Sequence, residues 1–436
     1  MDNLDIDGLF WLPSNPEDKV AGRLTFDAVN LAQLDLIGAF HGLPSSESVG
    51  LAGTPDGDKK LRIHGVAGGN LITLDRCTRL QGSYVMPRVR RQKYLAPLVF
   101  TGKHFGDDEL LEFDSVSVHL RHLEHWVNRT GVELWVEPWQ DPKEATTFGL
   151  TYTPLENLVA TTSICDLELR FCGKLIKEYL VQNTIEQRCS FILRFPRPRP
   201  LRSVLQLCSA LQDIVTIGAF TPSQITRLIL GIPDSDADLV SVWEDQRQVQ
   251  LYAGLSGSGL PDMEKSPIHL DMLFIFDDMG GLDGVAKWIE ESDRLRIVLS
   301  ALMNYWYVPE QTEESKFFNV IAAAEALARI RAQQQNVNFK RELKSLACNA
   351  GHSFKILVGD VDCWVNEIVQ TRINNVGHRG LRGYADSIRL SMLSESVYLL
   401  VVLCLLRECE VSADASNRVQ EHHRFRKLAT QLQDAN

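Results

Sequence analysis

Hydrophobic and polar residues follow two different patterns along this chain of 436 residues. From Phe10 to about Phe276, short apolar segments alternate with polar positions and are interrupted by Gly, Pro, Asn and Asp. Segments of this kind are typical of β-strands of roughly five or six residues. We predict strands in segments 132–136, 167–171, 190–195, 228–232 and 270–276.

Two helices are predicted inside this β-rich part. Apolar residues recur at helical spacing from Leu201 to Leu211, directly after the extended sequence Pro196–Pro200. A second helix is predicted from Arg121 to Asn128. The glycine-rich stretch Gly65–Gly69 lacks the Lys and the following helix of a phosphate-binding loop, so we interpret it as a hairpin turn.

Helical spacing dominates after about residue 285. Apolar stripes predict helices at 295–307, 315–330, 339–347, 361–372 and 384–409, and Ser315 is the candidate N-cap of the second. Short connections between such helices are typical of a helical bundle. The sequence therefore predicts an α+β protein. A β-rich region covers 1–284, divided into two subdomains near residue 150, and an all-α bundle covers 285–436.

Composition indicates the environment of the protein. A hydrophobic fraction of 44% and a charged fraction of 23% are those of a soluble globular protein. The net charge of -11 argues against a broad basic surface, although local arginines can still bind a few phosphates. The nine cysteines contain no CxxC pair, which fits a reducing compartment.

The N-terminus is acidic, and the longest apolar run, Val397–Leu406, is about half as long as a membrane-spanning helix. We expect a cytoplasmic protein with no membrane segment.

Three histidines, His119, His122 and His125, form an HxxHxxH series. No Cys or carboxylate set accompanies them at the spacing of metal ligands. We interpret them as surface or packing residues, and we expect neither a metal site nor another cofactor.

The candidate chemistry lies in the segment Thr371–Gly380. A helix rich in apolar residues runs into Asn374, Asn375 and a glycine, which are residue types that end helices. Arg372 and His378 flank this predicted break, so both side chains are expected to reach one cleft. Cleaving RNA without metal needs a base for the 2′-hydroxyl proton and positive charge for the phosphorane. An imidazole and a guanidinium supply these two functions.

The spacing Arg-x(4–6)-His occurs twice in the chain. The other match, Arg418 to His423, is expected in a polar tail after the last helix, where no scaffold would fix its geometry. Arg372 and His378 are therefore the candidate pair. The alternative is that these two residues only cap carbonyl groups at the end of a helix.

The chain also resembles a known family. The segments Phe10–Pro13, Val20–Thr25 and Leu36–Gly38 resemble the N-terminal domain of ApeA-type proteins of bacteria. The helical segment that carries Arg372 and His378 resembles the HEPN domain that follows in that family. Together the two resemblances cover almost the whole chain. They imply an anti-phage defence protein: a metal-independent endoribonuclease that is held inactive until infection.

The resemblance assigns roles to individual residues. It implies that Arg372 binds phosphate, that His378 acts as base or orienting group, and that Asn374 and Asn375 support the site. It also implies a homodimer or higher oligomer, an RNA substrate with tRNA as one candidate class, and a phage-derived trigger. The family commonly places a polar residue directly after the arginine, whereas this chain has Ile373.

Two questions stay open at the level of sequence. Glu325 lies on an otherwise apolar helix, where a buried carboxylate needs a cationic partner such as Arg372; the alternative is that Glu325 faces solvent. Because of Ile373, the bundle is alternatively a non-catalytic HEPN module that dimerises or regulates. A further hypothesis, compatible with the ribonuclease hypothesis, is that the β-rich region is a sensor of a phage protein or ligand.

Overall fold

The computed structural model of the protein describes residues 3–27, 29, 31–41, 61–80, 91–137, 148–178, 181–233, 248–255, 267–333, 338–377 and 387–434. The strands in these ranges are β1 (Leu4–Leu12), β2 (Asn15–Phe26), β3 (Ala32–Ile37), β4 (Leu61–Ala67), β5 (Asn70–Leu80), β6 (Arg91–Ala96), β7 (Leu98–Thr101), β8 (Glu112–Leu120), β9 (Val132–Val136), β10 (Phe148–Tyr152), β11 (Leu158–Thr161), β12 (Asp166–Glu178), β13 (Gln182–Pro200), β14 (Ile225–Gly231) and β15 (Gln248–Ala253).

The helices are α1 (Leu123–Val127), α2 (Leu201–Ala219), α3 (Leu282–Glu291), α4 (Arg296–Tyr307), α5 (Glu313–Ala332), α6 (Phe339–Ala350), α7 (His352–Val358), α8 (Val361–Gly377), α9 (Ser387–Glu408), α10 (Ala413–Glu421) and α11 (His423–Asp434). Two 3-10 turns, His269–Asp271 and Asp277–Met279, precede α3. Strands in the first part of the chain and helices in the last part confirm the predicted α+β class.

The chain forms two compact units. The first comprises Met1–Leu120, Ile192–Gln206 and Gln224–Gly259, and the second comprises Arg121–Phe191, Leu207–Ser223 and Leu260–Asn436. Strand β13 and helix α2 each begin in one unit and end in the other. The sequence predicted consecutive domains with boundaries near residues 150 and 285, whereas each compact unit combines several segments of the chain. The predicted boundaries stay predictions.

A closed barrel forms the main part of the first unit. Strands β5, β4, β1, β2, β3 and β6 are antiparallel neighbours in this order, and β6 pairs back with β5. Closure removes the exposed strand edges that an open sheet would leave. On its other side β5 pairs with β7, and the sheet continues through β15 and β14 to β8.

Alternating residues of the barrel strands build its core. Phe10, Leu24, Leu34, Ile63 and Tyr94 are fully buried, which fits the two-residue period of a strand with one face inward. A side chain at position 65 would collide with the ring of Phe10, which explains the glycine there. Between β4 and β5 the chain turns at Gly68 and Gly69, both with positive φ. This confirms the predicted hairpin turn, since such turns require left-handed backbone.

The second unit is mainly helical. Helix α9 packs against α5, α6, α7, α10 and α11, and helix α3 packs on β11 and β12. The interior of α9 is apolar from Val397 to Leu406 and every residue of this run is buried. In length and hydropathy (mean 1.8), α9 would suffice to span a membrane, but 72% of its most apolar window is buried inside the protein. It therefore has the character of the central helix of a bundle.

Most predicted elements are confirmed with shifted ends. The predicted strands at 132–136, 167–171, 190–195 and 228–232 correspond to β9, β12, β13 and β14, and the predicted helices at 201–211 and 121–128 to α2 and α1. The predicted strand at 270–276 is wrong. Its first residues belong to an exposed 3-10 turn, and in its buried part the amide of Leu273 donates to the carbonyl of Gly218 and that of Phe276 to the carbonyl of Trp126, so it pairs with no strand in the described ranges.

Two details of the helical part also differ from expectation. The N-cap of α5 is Thr312, whose side chain accepts a hydrogen bond from the amide of Ser315, so Ser315 is not the cap. Helix α8 does not break at Asn374 and Asn375 but continues to Gly377. Asparagine only weakly disfavours a helix interior, and the packing of a whole helix outweighs that preference.

Candidate active site

Helix α8 carries Arg372 and is fixed by contacts with its neighbours. The indole of Trp364 donates to Oγ of Ser396 on α9 at 2.9 Å, and both residues are buried. Two turns of α9 earlier, Arg389 binds both carboxylate oxygens of Glu367, each at 2.6 Å. A guanidinium that binds a carboxylate at two points fixes orientation as well as distance. The last turns of α8 therefore have a set direction relative to α9.

Arg372 contacts two further helices. Its Nη2 lies 2.6 Å from Oε1 of Glu325 on α5. Its guanidinium also lies over the ring of Phe339 on α6, 4.7 Å from the ring centroid. An ion pair and a cation–π contact both restrict where the guanidinium lies. The Arg372 side chain remains 39% exposed, so an anion can approach it from solvent.

Phe339 is placed by the start of its own helix. It is the first residue of α6, and the side chain of Asn338 caps this helix by accepting from the amide of Arg341 at 3.1 Å. Capping satisfies a donor that the first turn of a helix otherwise leaves without a partner. The cap therefore also fixes the aromatic ring on which Arg372 lies.

Glu325 lies between two arginines. Its Oε2 accepts from Nη2 of Arg329, one turn later on α5, at 3.3 Å. Its Oε1 is buried and has no directed hydrogen bond, so its contact with Arg372 is mainly electrostatic. Two guanidinium groups and one carboxylate leave a net charge of about one positive unit. The ion pair between Glu325 and Arg372 is thus present, while the catalytic role of Arg372 and the supporting role of Glu325 stay predictions.

The other predicted site residues cannot be placed relative to Arg372. Asn374 and Asn375 belong to α8, but their side chains lie outside the described part of the structure, and His378 lies outside the described residues altogether. Ile373 belongs to α8 and is 48% exposed.

Sequence reasoning missed three contributors to this arrangement: Phe339, Arg329 and the pair of Glu367 with Arg389. The spacing of four residues between Glu325 and Arg329 is a recognisable signal, because such residues are neighbours on one helix face. Phe339 gives no such signal, since an aromatic residue in a helix usually indicates core packing.

The second Arg–His match lies on a folded scaffold. Arg418 belongs to α10 and His423 begins α11, and these helices bury Val419, Phe425 and Leu428. The expectation of a polar tail here is wrong, because the sparse apolar residues are spaced to face the bundle. Arg418 Nη2 donates to the carbonyl of His269 at 3.4 Å, which gives this arginine a structural partner.

The three histidines of the HxxHxxH series occupy separate settings. His119 lies near the end of β8, His122 is buried in left-handed backbone just before α1, and His125 is on α1. Within the described ranges, no group of three or more His, Cys, Asp or Glu side chains is arranged to hold a metal ion.

A second polar cluster lies in the helical unit. The hydroxyl of Tyr307 on α4 donates to Oδ1 of Asp213 on α2 at 3.0 Å and is 2.9 Å from Oγ1 of Thr216. Burial raises the pKa of Asp213 to about 7, because a carboxylate loses its hydration there. Such a group favours the protonated form inside the protein.

Comparison with known proteins gives one match. Residues 5–288 match the family described as ApeA N-terminal domain 1, which is more than half of the chain. The matched range ends before α4, so it does not include the helices that carry Glu325 and Arg372. No curated protein and no solved structure matches the chain.

Proposed function

The chain belongs to the ApeA type of anti-phage defence proteins, and from this premise we propose that it is a metal-independent endoribonuclease with a HEPN-type helical bundle. In this proposal His378 takes the proton of a ribose 2′-hydroxyl. The 2′-oxygen attacks the adjacent phosphorus, the bond to the 5′-oxygen breaks, that oxygen takes a proton from water and leaves as a hydroxyl, and a 2′,3′-cyclic phosphate remains. Arg372 binds the phosphoryl oxygens, on which negative charge increases in the transition state.

The observation that carries the proposal is the arrangement around Arg372. This guanidinium is held by Glu325 and Phe339 and is still 39% exposed. A catalytic cation needs this combination, since it must be preorganised and also accessible to the substrate. Arg329 keeps the local charge positive despite Glu325. A guanidinium that only capped a helix would not require partners on two other helices.

The proposal includes a homodimer and regulation by the N-terminal region. Two copies would bring two Arg–His pairs to a shared cleft, with RNA as substrate and tRNA as one candidate class. Exposed Ile373 and Ile388, near the facing ends of α8 and α9, support a second copy as the partner of this surface. The N-terminal region would sense a phage-derived trigger and release the nuclease.

The test compares purified wild-type protein with Arg372→Ala and His378→Ala in EDTA. Without its trigger we expect the wild type to cleave RNA at a basal rate and leave 2′,3′-cyclic phosphate ends, and each variant to lose at least about 100-fold of that rate. Arg341→Ala and His352→Ala are matched controls, because both side chains lie on exposed positions of neighbouring helices. The same variants are compared in phage-infected cells, where the trigger is present. Cleavage or protection that survives His378→Ala would refute the assignment.

The second candidate is a non-catalytic HEPN module. The observation in its favour is Ile373, an exposed apolar residue at the position where the resembled family has a polar one. On this reading, Arg372→Ala protects cells from phage as well as the wild type does. Disrupting the dimer would abolish protection under both readings, so only the arginine and histidine variants separate them.

A further inference from the structure

A pocket of about 560 Å³ lies in the first compact unit, beside the β4–β5 hairpin. Its lining includes Arg62, Arg76, Arg202, Asp107 and Asp108, together with leucine side chains. A volume of this size is typical of sites for small organic ligands. All lining residues belong to the first unit, whereas Arg372, Glu325 and Phe339 belong to the second.

The wall of the pocket contains a buried ion pair. Nε of Arg62 donates to Oδ1 of Asp75 at 2.7 Å, and the two side chains are 8% and 3% exposed. Arg62 Nη1 also donates to the carbonyl of Gly106. Charges buried to this degree persist only when their hydrogen bonds fix the geometry. The loop around Gly106 and the β4–β5 hairpin are thereby held together.

A β-bulge points Arg76 to the same pocket. Leu61 pairs with Cys77 but Ile63 pairs with Leu74, so Asp75 and Arg76 stand opposite the single residue Arg62. Arg76 adopts a positive φ of 59°, which a residue with a side chain rarely adopts within a strand. Bulges and strained backbone of this kind concentrate at functional sites, where they redirect a side chain.

Charges of both signs line the pocket, with three arginines and four carboxylates among its residues. Asp75 also lies 3.6 Å from Nε of Arg76, so Arg62, Arg76 and Asp75 together carry one positive charge, and Arg202 adds another. Among the other carboxylates of the lining, Glu109 is paired with Lys103. In the part of the chain that the structure describes, no ion pair joins Arg202, Asp107 or Asp108 to a charge of opposite sign.

We infer that this pocket binds a ribonucleoside monophosphate. Guanidinium groups bind phosphate oxygens at two points, and the side chains of Arg76 and Arg202 are exposed enough to do so. Carboxylates accept hydrogen bonds from the vicinal hydroxyls of a ribose. Leucine side chains offer an apolar surface to a base. A bare phosphate would leave most of the volume empty and would offer no hydrogen-bond donor to Asp107 and Asp108.

The test titrates the full-length protein with AMP, GMP, CMP and UMP, followed by isothermal titration calorimetry. We expect at least one nucleotide to bind, and Arg202→Glu to weaken binding by about tenfold or more. Arg426→Glu is the matched control, since it makes the same charge change on an exposed position of α11. Arg202 lies at an exposed position in the first turn of α2, so its variant is expected to fold.

Three results would overturn the inference. They are the absence of binding at about millimolar nucleotide, equal binding by Arg202→Glu and Arg426→Glu, and equal affinity for the 2′,3′-dideoxy analogue. Equal affinity for the dideoxy analogue would mean that Asp107 and Asp108 do not bind the ribose hydroxyls. A 5′-phosphorylated oligoribonucleotide carries the same nucleoside monophosphate at its end. If it competes with the free nucleotide, the pocket binds the 5′ end of an RNA. Loss of ribonuclease activity in His378→Ala has no bearing on any of these results.

Discussion

At the scale of single residues, the position of Arg372 depends on Glu325 and Phe339. Glu325 supplies charge from α5 and Phe339 supplies a ring from α6. Neither residue would react with substrate, so each acts by placing the guanidinium. A change in either should therefore affect turnover more than substrate binding.

We expect Glu325→Gln to lower kcat of the proposed ribonuclease by about tenfold, because a misplaced group loses most of its transition-state contact. Phe339→Leu keeps an apolar surface but removes the π face, and should lower kcat a few-fold. Steady-state cleavage of a labelled RNA measures both. Glu421→Gln, at an exposed position of α10, is the control. An unchanged kcat in Glu325→Gln would show that the ion pair does not serve catalysis.

A second residue-scale prediction concerns Asp213. Its pKa is raised by burial from 3.8 to about 7, so between these values the folded protein holds a proton that the unfolded chain releases. Holding this proton contributes to the free energy of unfolding. The contribution is fully present below the pKa of the unfolded chain and is lost as pH rises through the pKa of the folded protein, by on the order of 1 kcal/mol per pH unit.

Asp213→Asn removes this titration and keeps an oxygen that accepts from Tyr307. Between about pH 5 and pH 7, the variant should lose less unfolding free energy than the wild type does. Urea unfolding at both pH values measures the difference, and Asp434→Asn, at an exposed position, is the control. Equal pH dependence in the wild type and in Asp213→Asn would contradict the raised pKa.

At the scale of elements, the pairing of α8 with α9 determines where Arg372 lies. The hydrogen bond between Trp364 and Ser396 is buried, and Ser396 Oγ also donates to the carbonyl of Leu393. The serine hydroxyl thus accepts one hydrogen bond and donates another. An aromatic residue without the indole N–H would leave it with an unmet acceptor.

Trp364→Phe should lower the free energy of unfolding by about 2 kcal/mol, from the lost hydrogen bond and a small cavity. Chemical denaturation measures this loss. Trp135→Phe is the matched control, because Trp135 on β9 is 43% exposed and its substitution should cost much less. Equal destabilisation by the two substitutions would mean that the buried bond contributes nothing.

The elements also show where sequence patterns mislead. The run 270–276 is as apolar as a strand, yet its amides bind carbonyls near α1 and α2. Helices α10 and α11 look polar because only one narrow face is buried. The spacing of apolar residues indicates which side chains are buried, but it does not determine where the backbone amides find their hydrogen-bond partners.

At the scale of the whole molecule, the proposed dimer gives a prediction. Ile373 and Ile388 are 48% and 65% exposed on α8 and α9. We expect wild-type protein to sediment as a dimer at micromolar concentration and the double variant Ile373→Asp with Ile388→Asp to shift toward monomer. Burying a charge in an apolar interface costs several kcal/mol. Ile297→Asp, on the equally exposed Ile297 of α4, is the control. A wild-type monomer, or an equal shift in the control, would contradict this surface as the interface.

The sequence alone determined the order of β-rich and helical parts, the hairpin at Gly68 and Gly69, and the helix after Pro200. These features depend on local period, on backbone that only glycine adopts easily and on proline, so neighbouring residues suffice to specify them. The sequence also singled out Arg372 and Glu325.

Tertiary structure alone decided what surrounds Arg372. Phe339 and Glu325 precede it by 33 and 47 positions, and no local pattern specifies which residues meet over such separations. The continuation of α8 past Asn374 was decided in the same way, since the tertiary contacts of the whole helix with α6, α7 and α9 outweigh a weak local preference. The helical context and the family resemblance, more than the spacing of arginine and histidine, selected a candidate pair, and the packing of α5, α6 and α8 decided which groups hold its arginine in place.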